Sequence, residues 1–136
     1  MLLSAFPQLL FLAPLAIALL RIVAGLFVLY VAWQIAERRT ALSHEKYPVI
    51  GKAPEWMLLP AALAYAVAGG LLLIGAWTQI AALISALGML KLSILSRMRA
   101  HESLAILPES TYLLLLAISV ALVVTGAGAF AFDLPL

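Results

Sequence analysis

Four long apolar stretches, covering residues 9–35, 57–75, 78–96 and 111–130, take up most of a 136-residue chain and leave few ways for it to fold. A bilayer hydrocarbon core of about 30 Å needs about 20 apolar residues of helix, and each stretch meets or nearly meets that length. A chain that is 66% hydrophobic and 10% charged, with a mean hydropathy of +1.17, would have no surface to offer water as a soluble domain. The sequence therefore predicts an all-α integral membrane four-helix bundle. Its spans are expected at about 14–35, 57–75, 78–97 and 110–129, in a single domain over residues 1–136.

The first span is set by prolines and challenged by an arginine. Pro7 and Pro14 interrupt any single helix running from residue 1, so residues 1–13 are expected to lie at the interface and the helix to start near Pro14. No basic leader precedes the apolar run and no small-residue cleavage pattern closes it, so the segment is read as part of the mature chain. Arg21 costs about 2.5–3.5 kcal/mol near a helix centre. Between Leu15 and Val31, eleven residues are Leu, Ile, Val or Phe. At roughly 0.3–0.6 kcal/mol each they offset that cost.

The later helix boundaries carry clearer signals. Only Gly75, Ala76, Trp77, Thr78 and Gln79 separate the second and third spans, which makes them antiparallel neighbours in a tight hairpin. Lys52-Ala53-Pro54-Glu55-Trp56 and Pro108-Glu109-Ser110-Thr111-Tyr112 each set a proline, an acid and an aromatic at a helix start, where terminal geometry and the helix dipole favour them. Arg38, Arg39, Lys46 and Lys52 lie in the first connection and Arg97 and Arg99 in the third, while the second connection and both tails have no Lys or Arg. This asymmetry predicts cytoplasmic basic loops, both termini outside, and a multi-pass protein of the cell membrane.

Small residues indicate how the spans pack, because helices in lipid associate through close backbone approach. Ala62, Ala66 and Gly70 recur every four residues in the second span, next to Gly69, and Ala82 and Ala86 do so in the third. In the first, Ala18, Arg21, Gly25 and Ala32 share a stripe opposite Leu19, Val23, Leu26 and Tyr30. Arg21 is therefore expected to point at protein.

Chemistry is thinner. Without cysteine there is no disulfide, thiol nucleophile or cysteine-held cluster. The small net charge of +2 is dispersed and does not suit nucleic acid. His44 and His101 fall in loops, no phosphate loop or hydrolytic triad is present, and the acids lack metal-ligand spacing, so neither catalytic nor metal residues are assigned. Arg21, Lys91 and Glu109 are the ionisable groups within or beside spans. Intramembrane charges face a bundle interior or find partners. Lys91 can do so, or can extend to the headgroups near Arg97, and Glu109 reads most simply as a helix-start acid.

The order of these features, with Leu20-Arg21-Ile22-Val23-Ala24-Gly25-Leu26-Phe27-Val28-Leu29-Tyr30 first, then Gly69-Gly70-Leu71-Leu72-Leu73-Ile74-Gly75 turning into Ile80-Ala81-Ala82-Leu83, resembles the DoxX/DoxD family of small four-helix membrane proteins. Glu109 ahead of a leucine-rich span and the closing Thr125-Gly126-Ala127-Gly128-Ala129-Phe130-Ala131-Phe132-Asp133 extend the resemblance over nearly the whole chain from about residue 14. It implies a quinone-adjacent membrane subunit. Arg21, Gly69, Gly70, Glu109, Gly126, Gly128 and Asp133 are the positions carried over. Where many relatives have an acid about three residues before the paired glycines, this chain has Ala66 beside Tyr65, and Gln79 stands where a basic residue is usual. The expectation is an accessory subunit, without turnover of its own, packed among lipids and other membrane subunits of a redox or quinone-linked complex. The alternative is a subunit of a quinone-linked oxidoreductase, of the thiosulfate:quinone type, that binds quinone directly, with Arg21 and Lys91 offering hydrogen bonds to a carbonyl and Tyr30, Tyr65 or Trp77 lining its path; Arg21, Tyr65, Lys91 and Glu109 are the candidate contacts to a quinone or lipid.

Overall fold

The computed structural model describes residues 12–44, 46–47, 51–52, 55–97, 106–126 and 128. Five helices are present among them: α1 (Ala13–Glu37), α2 (Arg39–His44), α3 (Glu55–Ile74), α4 (Thr78–Arg97) and α5 (Glu109–Thr125). The connection between α2 and α3 also holds β1 (Lys46–Tyr47) and β2 (Gly51–Lys52), an antiparallel pair in which Lys46 lies opposite Lys52. The sequence predicts only a connecting loop over residues 36–56, and α2 and this pair are additions to it. Segments of six and two residues are too short to show a period.

Helices α1, α3 and α4 are long and apolar enough to cross a membrane. Pro14 sits in the first turn of α1, where its missing N–H leaves no gap in the hydrogen bonding. Pro108 is the N-cap of α5, and Glu109 its first-turn acid. The last helix is shorter than expected. The sequence predicts a span to about residue 129, but the helix stops at Thr125, where Gly126 turns to a φ of +78°, leaving 17 helical residues. At 1.5 Å per residue that is about 26 Å.

α1 packs mainly on α3 and α4 mainly on α5, with α3 against α4 and α1 against α5 closing the ring. Gly75 (φ +75°) ends α3, with the Gly75 and Ala76 N–H groups both donating to the Leu71 carbonyl, at 2.8 and 3.1 Å. Trp77 then turns left-handed (φ +48°) and α4 begins. At the opposite end, Arg97 at the close of α4 is ion-paired with Glu109 at the start of α5. A Cβ on Gly128 would lie 3.0 Å from the Pro14 carbonyl oxygen, so the chain leaving α5 passes beside the first turn of α1. The helices thus alternate in direction. The α3–α4 hairpin, the start of α1 and the end of α5 share one end, and Arg38, Arg39 and Arg97 lie at the other, basic end.

Three of the long helices bury stripes rich in small residues, Ala18, Ala24, Val28 and Ala32 on α1, Ala62, Ala68 and Leu72 on α3, and Ala81, Ala82 and Met89 on α4, while α5 buries the bulkier Tyr112, Leu115 and Leu122 with Ser119. The outward faces are as apolar as the core. Leu19, Leu26, Leu63, Leu87 and Leu114 are each more than half exposed, which suits a hydrocarbon surround.

Candidate functional site

The bundle is organised around one close crossing. A Cβ on Gly69 would stand 2.8 Å from Leu29 Cγ and 3.0 Å from the Gly25 carbonyl oxygen, so α1 and α3 meet backbone to backbone there. Gly70, its neighbour, has open space where a Cβ would go and is half-buried. Of the residues nominated for packing, Gly25, Gly69, Ala62, Ala82 and Ala86 are buried, and Ala66 and Gly70 lie at the margin.

Arg21 is 1% exposed, the largest fully buried side chain described. It reaches the interior because it shares the inward stripe of α1 with Ala18, Ala24, Gly25 and Val28. Tyr65 is also buried, with its ring laid over Gly88 of α4: a Cβ there would be 2.1 Å from Tyr65 Cε1. These two nominated residues do not meet. Arg21 lies four residues to the hairpin side of Gly25, and Tyr65 four residues to the basic side of Gly69. Because the helices are antiparallel, the offsets add to about 12 Å along the axis.

The other two nominated residues are farther still from a common centre. Lys91 is exposed on the outer face of α4, beside Leu87, Leu90 and Ile94. Glu109 is spent on Arg97 at the basic end. Arg21, Tyr65, Lys91 and Glu109 therefore do not fit together around one quinone ring. Asp133 and His101 lie outside the described residues, as do residues 1–11 of the expected interfacial segment, and the side chain of His44 is likewise not described.

Three interior serines carry no signal of function in the sequence: Ser93 of α4 is buried, and Ser85 of α4 and Ser119 of α5 are fully buried, with no hydrogen-bond partner for either of those two hydroxyls among the described residues. Thr125 differs, since its hydroxyl donates to the Ala121 carbonyl one turn back. Tyr112 is buried too, and its hydroxyl accepts the Leu107 N–H at 3.3 Å, anchoring the approach to α5. The available signal was position: Ser85 continues the small stripe of Ala82 and Ala86, and Ser119 lies one turn from Leu115.

The outer surface carries one further feature. Between α1 and α3, on the basic side of the glycine crossing, runs an apolar groove of about 420 Å³, lined by Leu29, Trp33 and Ala36 from α1 and Leu59, Leu63 and Ala66 from α3. Trp33 forms its lip, 69% exposed, and its indole N–H donates to Glu37 at 2.9 Å.

Comparison of the chain with protein-family models, curated proteins and solved structures finds no match among them.

Proposed function

We propose that the chain is a DoxX-like, four-span protein of the cell membrane, with basic loops in the cytoplasm and both termini outside, acting as a non-catalytic accessory subunit of a redox or quinone-linked membrane complex. The observation that supports this reading best is the dispersal of its polar groups. Arg21 and Tyr65 are buried about 12 Å apart in level, Lys91 faces outward, and Glu109 is held in an ion pair. An arginine carried on the buried stripe of α1 with Ala18, Ala24 and Gly25 suits a structural pin. Removing it would leave the small-residue stripe of α1 without the group that fills its hairpin end.

Exposed apolar faces on every long helix suit contact with lipid and with other spans, and small side chains at their margins allow close approach. The test is isolation by mild detergent extraction, followed by identification of what copurifies. The accessory reading expects defined membrane subunits of a redox complex, and their loss on Arg21→Leu with the chain still inserted. The same chain alone in nanodiscs should not reduce a quinone analogue with thiosulfate or another donor. Donor-dependent reduction that disappears on Arg21→Leu would overturn the accessory role and establish direct quinone chemistry.

A further inference from the structure

We infer that Ser85 of α4 and Ser119 of α5 form an internal binding site for a single water molecule, which bridges the two helices in the middle of the bundle. This stands independently of the accessory role. Both side chains are completely buried, and neither hydroxyl has a hydrogen-bond partner among the described residues. A hydroxyl left unbonded away from solvent is costly, and two of them in one place are relieved together by one shared partner.

Two contacts between α4 and α5 fix the relative height of the serines. The Gln79 side-chain amide donates to the Val123 carbonyl at 3.3 Å, with Ser85 six residues from Gln79 and Ser119 four from Val123. Measured from there, Ser85 lies about 3 Å nearer the basic end. Measured from the Arg97–Glu109 ion pair, twelve and ten residues away, Ser119 lies about 3 Å nearer. The offsets have opposite sign, so the serines share one level on helices packed against each other. The rest of this layer is small. Gly69 stands five residues before the end of α3 and Ser85 seven after the start of α4, so across the hairpin the glycine crossing is within about 3 Å of the same height. Ala24, Gly25, Ala68 and Gly69, the buried residues that α1 and α3 bring to the crossing, have side chains no larger than a methyl group.

The chemistry of the pair selects the ligand. Each hydroxyl both donates and accepts, no charged side chain of α4 or α5 lies at this level, and a water molecule needs little space and two or more polar partners. The bridge gives α4 and α5 a polar link at mid-height, between the Gln79–Val123 bond at one end and the Arg97–Glu109 pair at the other.

The test combines a mutant cycle with direct detection of the water, both in the full chain. Ser85→Ala, Ser119→Ala and the double replacement are compared by thermal midpoint in one detergent. Either single change strands the opposite hydroxyl, so the double replacement should lower the midpoint no further than the more damaging single one. Ser93→Ala, also buried on α4 but eight residues away, should instead add to Ser119→Ala. In bilayers, magnetisation transfer from water to the Ser119 Cβ at short mixing times should be present in the parent protein and lost in Ser85→Ala. Additive midpoint shifts from Ser85→Ala and Ser119→Ala would mean that each hydroxyl bonds back to a carbonyl of its own helix, and would overturn the site. Coupled shifts without a water signal would mean a direct serine–serine bond and overturn it too. Absence of the signal in the parent protein decides against the water whatever the replacements do.

Discussion

At the residue scale, Gly88 is the position where one added methyl group has the clearest consequence. Its Cβ would lie 2.1 Å from Tyr65 Cε1 and 2.7 Å from Tyr65 Oη, inside the contact distance of any real atoms. Gly88→Ala gains helix propensity of about 1 kcal/mol. Displacing a buried ring costs about 1–3 kcal/mol, so the clash should win and the net effect be destabilising. The same substitution in a Tyr65→Leu background should be neutral or slightly stabilising, because the atom it strikes is gone. Thermal unfolding of the four proteins in one detergent gives the cycle, and an equal cost in both backgrounds would refute the contact. Tyr65 was visible in the sequence as a polar ring within an apolar span. That it lies on Gly88 was not, because pairing between helices leaves no trace in spacing along one of them.

At the element scale, the adjacent glycines of α3 separate two roles that composition treats alike. Gly69→Ala drives a methyl group into Leu29 and the Gly25 carbonyl and should destabilise the α1–α3 pair by about 1–3 kcal/mol. Gly70→Ala enters open space and should be neutral, or stabilise by up to about 1 kcal/mol. Denaturation midpoints that fall equally for both would show that the helix is rotated from the orientation described here. This rotation explains what could be read in advance. On α1, Arg21 among small residues and Leu19, Leu26 and Tyr30 on the opposite side mark the inward face from sequence alone. On α3, nearly every side chain is apolar, no polar stripe fixes the rotation, and the four-residue series Ala62, Ala66, Gly70 points to the margin, where only Ala62 is buried. The close contact belongs to Gly69, one residue and about 100° away. Helix starts at Glu55 and Glu109 were legible because proline and acid act locally. The early end of α5 depends on the backbone angle of Gly126, which glycine permits but does not announce.

At the scale of the whole molecule, the number of crossings turns on α5, whose length of about 26 Å is short of a 30 Å hydrocarbon core. Two contacts tie it across the full height of the bundle. Glu109 is paired with Arg97 at the basic end, and Gly128 lies against Pro14 and Ile17 at the other. If α1 and α4 span, a chain joined to α4 at one level and to α1 at the other spans as well, and a mismatch of a few ångströms is absorbed by local thinning of the bilayer at a fraction of a kcal/mol per Å. A re-entrant α5 would have to break the contact with Pro14. The chain contains no cysteine, so single cysteines report cleanly. Ser43→Cys, in α2, and Ala131→Cys, beyond α5, should react with a membrane-impermeant maleimide from opposite sides of sealed vesicles, Ser43→Cys from the cytoplasmic side as the basic loops require. With only α1, α3 and α4 crossing, both would react from the same side, and the four-span bundle would be wrong.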